Sequence, residues 1–176
     1  RRNIRAYEPF TDEQLELNQV LELLTTNETY FFREPRHFEF LRDNILPGFD
    51  ARRTLRVWSA ASSTGEEPYS LAMLLMDRRA GPWELVASDV NQSVLDKARR
   101  GIYRDQRTEQ IPEVYRQRFC RKGTGPYEGC LRIVPELRAP SGTIRIFSGL
   151  SARAWPGSCR MLISPMKSAT KRVRGR

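Results

Sequence analysis

The chain has 176 residues, of which 39% are hydrophobic, and a formal net charge of +9, so it is long and apolar enough for one domain with a small satellite. All of the excess charge lies in residues 137–176, which contain nine basic and no acidic residues; this argues against a nucleic-acid-binding domain. No apolar run approaches the ~20 residues of a membrane span. Three scattered cysteines and one histidine indicate neither a disulfide scaffold nor a zinc site. We expect a reduced, cytoplasmic protein without a metal.

Two helices are predicted before the first strand. Residues 11–14 (TDEQ) form a capping box, and apolar residues continue from there at helical spacing to Leu24. A second helix begins at Pro35, which suits a first helical turn, and ends at Pro47-Gly48.

The middle of the chain has the order strand, helix, strand, helix. Residues 54–60 (TLRVWSA) and 83–88 (WELVAS) read as strands. A helix that is apolar around much of its circumference begins at about Glu66, and a third helix includes Val94, Leu95 and Ala98. This order predicts an α/β fold with a parallel sheet and right-handed crossovers.

The pattern changes after Gly101. Residues 119–147 contain short β-prone pieces around a Gly-Pro turn, with TIRIF (143–147) as the last of them, and this predicts a small antiparallel sheet. From Ser148 onward no helix or strand is predicted.

The chemistry is expected where the first strand meets its helix, because ligands of open α/β sheets bind at the carboxyl ends of strands. That turn, SAASSTGEEPYS (59–70), is not a G-x-G-x-x-G loop, and Glu66 and Glu67 would repel a pyrophosphate. The pair suits a cationic ligand without phosphate. An equally open alternative is that both carboxylates only complement the helix dipole.

Asp89 follows the second strand, where a carboxylate accepts hydrogen bonds from a ribose. The alternative is that it caps the helix beginning near Asn91. Together with the acidic pair, Asp89 favours a nucleoside that has a positive centre and no phosphate, a description that S-adenosylmethionine meets.

Four segments carry a family resemblance. VWSAASSTGEEPYSLAM (57–73), VASDVNQSVLDKARRGIY (86–103) and TTNETYFFRE (25–34) resemble the bacterial chemotaxis receptor methyltransferases, the CheR family, and RKGTGPYEGCLRIVPELR (121–138) resembles that family's small β-subdomain. The resemblance implies a Rossmann-like, S-adenosylmethionine-dependent methyltransferase sheet with a short N-terminal helical segment and incomplete C-terminal strands. It also implies methylation of glutamate side chains on the cytoplasmic domains of chemoreceptors.

The resemblance further implies site residues. Arg33 is the candidate catalytic residue and a forked partner for the methionyl carboxylate; the alternative is an ion pair with Glu34 or Glu28. Glu67, with Glu66 as the second choice, falls on the acidic cofactor position, and Asp89 falls on the ribose position. The remaining cofactor-binding candidates are Asn27, Thr29 and Ala60, the last through its backbone.

Two surfaces are candidates for the receptor. The β-subdomain could add a receptor peptide as an edge strand, with Tyr127 and Arg132 contributing. A basic helix near residues 94–107 could face an acidic receptor surface, or it could simply be solvated.

The predicted organisation is an N-terminal helical segment and linker (1–50) and a partial methyltransferase domain (51–176), with the β-subdomain at about 115–147 and a basic tail at 148–176. The family pattern weakens after the β-subdomain, and the chain begins with Arg1 rather than Met. We therefore expect a truncated or degenerate member with impaired activity. The alternative is a non-catalytic receptor- or cofactor-binding module. In either case we expect a monomer that binds neither nucleic acid nor membranes.

Overall fold

The computed structural model describes residues 28–133 and 142–148 in full and, for residues 161–163, the backbone alone. The helix predicted over residues 11–24 and the site candidate Asn27 lie outside the described residues. Within the described part of the chain, no helix has the length and apolar character needed to cross a membrane.

The helices and strands follow the predicted α/β order as far as residue 100. In chain order they are α1 (Pro35–Phe40, continued by a π-helical turn, Leu41–Ile45), β1 (Leu55–Ala60), α2 (Glu66–Arg78), β2 (Trp83–Asp89), α3 (Gln92–Arg100), β3 (Ile102–Arg104), α4 (Glu113–Phe119), β4 (Cys120–Lys122), β5 (Cys130–Ile133), β6 (Gly142–Ser148) and β7 (Met161–Ile163). A 3-10 turn, Asp105–Thr108, connects β3 towards α4.

The main layer is a parallel sheet with strand order β6-β2-β1-β7. Its register pairs Ala60 with Ser88 and Asp89 with Ser148, so the carboxyl ends of β1, β2 and β6 meet at one edge. This confirms the predicted parallel α/β sheet and places the turn after β1 at the edge where ligands of such sheets bind.

Helix α2 provides much of the core. Its buried residues occupy most of its circumference, as its composition predicts, and include Leu71, Met73 and Leu75. Burying each such side chain stabilises the fold by about 1.5–3 kcal/mol. The C-terminal end of α2 is fastened by Arg79, whose guanidinium donates to three backbone carbonyls in the preceding linker, those of Phe49, Asp50 and Arg53.

A second, antiparallel sheet has the order β3-β5-β4, which confirms that a small antiparallel sheet follows the main α/β unit. The basic stretch 94–107, however, is not one helix. Helix α3 ends at Arg100 because Gly101 adopts a left-handed conformation (φ 61°), and the rest of the stretch forms β3 and the 3-10 turn.

Two predictions about the later strands are wrong. TIRIF (143–147) lies in β6, which pairs parallel to β2, rather than in the antiparallel sheet. Strand β7 pairs parallel to β1 in a region where no strand was predicted. β-propensity is local and does not specify the partner strand. The backbone of β6 packs closely against β2 at Gly142, where there is no room for a side chain: a Cβ on Gly142 would lie 2.1 Å from the ring of Trp83.

Candidate functional site

Backbone strain concentrates in two segments beside the carboxyl edge of the sheet. Among the described residues, the non-glycine positions with positive φ are Phe32 (53°), Glu34 (58°), Ala61 (58°) and Ser63 (47°). Two lie in the segment before α1 and two in the turn after β1. Such conformations cost about 1–3 kcal/mol each and cluster at ligand sites, so both segments are candidates for contact with a ligand.

Asp89 ties the turn after β1 to the end of β2. It is only 7% exposed. Its Oδ2 accepts the N–H of Ser63 at 2.8 Å and its Oδ1 accepts the N–H of Asn91 at 3.0 Å. Each carboxylate oxygen has a second lone-pair direction, so Asp89 can still accept hydrogen bonds from ligand hydroxyls.

The alternative role for Asp89, capping α3, is wrong. The cap is Asn91, whose Oδ1 accepts the N–H groups of Ser93 at 2.9 Å and Val94 at 3.3 Å. Asp89 therefore orients the capping residue and the turn, but does not itself cap the helix.

Glu66 and Glu67 have different surroundings although they are adjacent. Glu66 is fully buried, and its Oε2 accepts a hydrogen bond from Thr64 Oγ1 at 2.6 Å. Its Oε1 is paired with Arg107 Nη2 at 2.6 Å. Both oxygens therefore have protein partners, and the side chain has no exposed surface, whereas Glu67 is partly exposed; Glu66 is for this reason less able than its neighbour to meet a ligand.

Glu67 faces β1. It accepts a hydrogen bond from Ser59 Oγ at 2.6 Å. Burial raises the pKa of the Glu67 carboxyl, while the Ser59 hydrogen bond and the nearby Arg33 guanidinium partly offset that rise. A carboxylate that is partly stripped of water interacts strongly with a cation placed beside it.

Arg33 lies in the segment before α1, close enough to Glu67 for its charge to act on that carboxyl group. Its Nη1 donates to the backbone carbonyl of Glu28 at 2.6 Å, and its guanidinium lies 5.7 Å from the ring of Tyr30. Arg33 therefore binds the backbone carbonyl of Glu28 and, among the described residues, forms no ion pair with the Glu28 or Glu34 carboxylate, which was the alternative. Its other N–H donors provide the fork that a ligand carboxylate requires.

Tyr103 and Gly65 shape the start of α2. The Tyr103 hydroxyl donates to the carbonyl of Thr64 at 2.7 Å. Gly65 has φ of 100°, and a Cβ there would lie 2.8 Å from the Tyr103 hydroxyl oxygen and 2.9 Å from Ala98 Cβ. Glycine is therefore required both by conformation and by space.

The chemistry of this site fits S-adenosylmethionine. Carboxylates suit the ammonium, the sulfonium and the ribose hydroxyls, and an arginine suits the methionyl carboxylate. Among the described residues, the buried Oγ atoms of Ser62 and Ser63 have no hydrogen-bond partner, which leaves two polar atoms in the turn that a ligand can satisfy.

The structure brings Thr29, Arg33, Glu66 and Glu67 into one neighbourhood, with Ala60 and Asp89 at the adjoining strand ends. Sequence reasoning missed the role of Arg107, which had been grouped with solvated or receptor-facing basic residues. Its partners Glu66 and Thr29 lie 41 and 78 residues away in sequence, so no local pattern could reveal them.

Comparison with known proteins supports this interpretation. A family model described as the CheR methyltransferase, SAM-binding domain, matches residues 27–139. Chemotaxis protein methyltransferase 2 of Pseudomonas aeruginosa is 49% identical over 118 residues, which are 65% of this chain and 42% of the relative. The chemotaxis protein methyltransferase of Escherichia coli is 49% identical over 120 residues, covering 65% of this chain and 40% of the relative. That of Salmonella typhimurium is 45% identical over 128 residues, with coverage of 69% and 42%. The chain thus matches less than half the length of these relatives.

Proposed function

The chain belongs to the CheR methyltransferase family, and we propose that it transfers methyl groups to glutamate carboxylates of chemoreceptors. The matched region is the family's SAM-binding domain, so the cofactor is S-adenosylmethionine. The observation that carries the proposal is the placement of two carboxylates at the carboxyl ends of β1 and β2: Glu67 is bound to Ser59 of β1, and Asp89 is bound to the turn after β1. Burial raises the pKa of Glu67, and the Arg33 guanidinium is near enough to offset part of that rise. This arrangement matches a ligand that carries a carboxylate and cationic groups at one end.

When bound, S-adenosylmethionine supplies a sulfonium methyl group that a carboxylate can accept, leaving a neutral ester and a thioether. We assign the methionyl carboxylate to Arg33, the cationic end of the cofactor to Glu67 and the ribose hydroxyls to Asp89. Thr29 and the Ala60 backbone complete the proposed contacts, with Glu66 and Asn27 as the remaining candidates. A receptor glutamate has an ordinary pKa of about 4.3 and is ionised at neutral pH, so these residues need only orient the reactants and exclude water.

Calorimetric titration with S-adenosylhomocysteine tests the cofactor site. Losing a charge-assisted contact costs about 1.5–3 kcal/mol, so Arg33→Ala should weaken binding roughly 10- to 150-fold. Arg33→Lys should recover part of that loss, because it keeps the charge without the fork. Arg42→Ala is the matched control, since Arg42 is exposed and pairs only locally with Asp43. Absence of binding heat from the unaltered chain at millimolar ligand would overturn the proposal.

Transfer of labelled methyl groups tests the activity. A cytoplasmic receptor fragment should become labelled in the presence of the chain, and the same fragment with its acceptor glutamates replaced by glutamine should not. Binding of S-adenosylhomocysteine without any methyl transfer would instead favour the second candidate, a non-catalytic module that binds receptor or cofactor.

A specific observation favours receptor docking in either case. On the small sheet, Leu131 and Ile133 are buried while Arg132 points outward and lies opposite Arg121 on β4. Like charges directly opposite each other destabilise a sheet, so an acidic segment beside this pair would relieve the repulsion. Since β5 is the central strand, the receptor segment would add along the edge strand β4, which carries Arg121. Arg132→Glu should abolish capture of an acidic receptor peptide, whereas Arg42→Glu should not.

We also propose that the chain acts in the cytoplasm and as a monomer. Receptor methylation of this kind requires access to cytoplasmic receptor domains. Cys120 and Cys130 are free thiols, as expected in a reducing compartment. Sedimentation of the full chain with and without S-adenosylhomocysteine would test the monomer.

A further inference from the structure

The ion pair between Glu66 and Arg107 is unusual in its burial. The Glu66 side chain is 0% exposed while that of Arg107 is 49% exposed, and the two atoms joined lie 2.6 Å apart. A carboxylate removed from water is costly unless it is paired and hydrogen-bonded. Arg107 therefore supplies the charge that allows Glu66 to be buried at the first residue of α2.

Arg107 projects from a well-anchored turn. In the 3-10 turn Asp105–Thr108, the fully buried Thr108 donates through Oγ1 to the Asp105 carbonyl at 2.7 Å. The Asp105 N–H in turn donates to the carbonyl of Gly129 at 3.0 Å, next to β5. The turn that carries Arg107 is thus tied by hydrogen bonds within itself and to the residue before β5.

The same Arg107 nitrogen reaches a second partner. Nη2 donates to the backbone carbonyl of Thr29 at 2.9 Å as well as to Glu66. The preceding carbonyl, that of Glu28, accepts the hydrogen bond from Arg33. Arg107 and Arg33 thus hold adjacent carbonyls of one strained segment, whose Phe32 N–H is bound by Ser70 Oγ at 2.9 Å.

We propose that Arg107 is a positioning residue for the cofactor site: it clamps segment 28–34 onto the start of α2 and so keeps Arg33 beside Glu67, without itself touching the cofactor. The proposal rests on the cofactor roles proposed for Arg33 and Glu67. This role differs from that of a purely structural ion pair. The contact with the Thr29 carbonyl positions segment 28–34, whereas the contact with Glu66 contributes to the stability of the fold.

A set of variants separates the two contacts. Arg107→Met removes both, and leaves Glu66 buried without its partner. Arg107→Met combined with Glu66→Gln leaves no unpaired buried charge but still lacks the Thr29 contact, and Glu66→Gln alone measures any effect of Glu66 itself on binding. Arg107→Lys retains a positive charge and donors that can serve both acceptors. Arg42→Met is the control for removing an arginine from an exposed pair.

Each variant is titrated with S-adenosylhomocysteine below its own unfolding temperature, and amide hydrogen exchange of residues 28–34 is measured without ligand. Arg107→Met should bind at least about tenfold more weakly, and its segment amides should exchange faster. The double variant should regain thermal stability but keep the weak binding and fast exchange. Arg107→Lys should recover most of the affinity, and Arg42→Met should match the unaltered chain.

Recovery of parental affinity by the double variant would overturn the proposal, because the effect of Arg107 would then be one of folding alone. Unchanged segment exchange in Arg107→Met would overturn it as well. Failure of the proposed function looks different: the unaltered chain itself would give no binding heat. Should Arg107→Met fail to fold, the double variant and Arg107→Lys still decide the question.

Discussion

Replacing Asp89 tests the link between the two strand ends at the site. Its oxygens accept two backbone N–H groups, at 2.8 and 3.0 Å, from a position 7% exposed. Hydrogen bonds to a charged group contribute about 1.5–3 kcal/mol each, so Asp89→Ala should lower the free energy of unfolding by about 3–6 kcal/mol. For a chain of this size that is a fall in Tm of roughly 6–24 °C.

Urea unfolding followed by circular dichroism measures this loss. Asp96→Ala is the matched control: its carboxylate is exposed on α3 and pairs with Arg99 at 2.6 Å, so its removal should cost less than about 1 kcal/mol. Asp89→Asn keeps one acceptor oxygen and should fall between the two. The reasoning is refuted if Asp89→Ala loses no more stability than Asp96→Ala. Titration of folded Asp89→Asn with S-adenosylhomocysteine then tests the proposed ribose contact separately.

Three other outcomes are expected. Because burial raises the pKa of Glu67, the folded protein binds the Glu67 proton more tightly than the unfolded chain, so the associated stability is present at low pH and is lost as pH rises through the raised pKa. Glu67→Gln should therefore have a higher Tm than the parent protein at pH 8 and the same Tm near pH 4. An equal difference in Tm at both pH values would contradict this. Gly65→Ala should lower the free energy of unfolding by more than about 1 kcal/mol, and by more than Gly125→Ala, which also has positive φ but has nothing within 4 Å of its Cβ position; equal losses in urea unfolding would refute the packing argument. Burial raises the pKa of Cys120 to about 11, so a thiol reagent at pH 8 should modify Cys130 before Cys120; faster labelling of Cys120 than of Cys130 would be inconsistent with the burial of Cys120.

Much of the fold was predictable because its signals are local. Alternating or apolar runs mark β1 and β2, and the Leu- and Met-rich stretch after Glu66 marks a helix buried on several sides. The strand assignments failed where a local signal was insufficient. TIRIF has clear β character, but its partner depends on how Gly142 and Trp83 pack, and three residues of β7 are too short to register as a pattern.

The candidate site divides in the same way. The sequence predicted Arg33, Glu67 and Asp89 as candidates, together with the turn that contains Ala60 and Ala61. It did not reveal that Asp89 holds two backbone N–H groups, nor that Asn91 rather than Asp89 caps α3. Those contacts join segments that are adjacent in space, so only the folded arrangement can show them.

By itself, the sequence determined the α/β class and the family and predicted the turn after β1 as the candidate ligand site, because periodicity and motif spacing are properties of neighbouring residues. Tertiary structure alone decided how the surroundings of two adjacent glutamates differ. Glu66 is buried and paired with Arg107, 41 residues further along, whereas Glu67 is partly exposed and bound to Ser59. The interaction of charges depends on their separation in space and on their exposure to water, and chain order specifies neither.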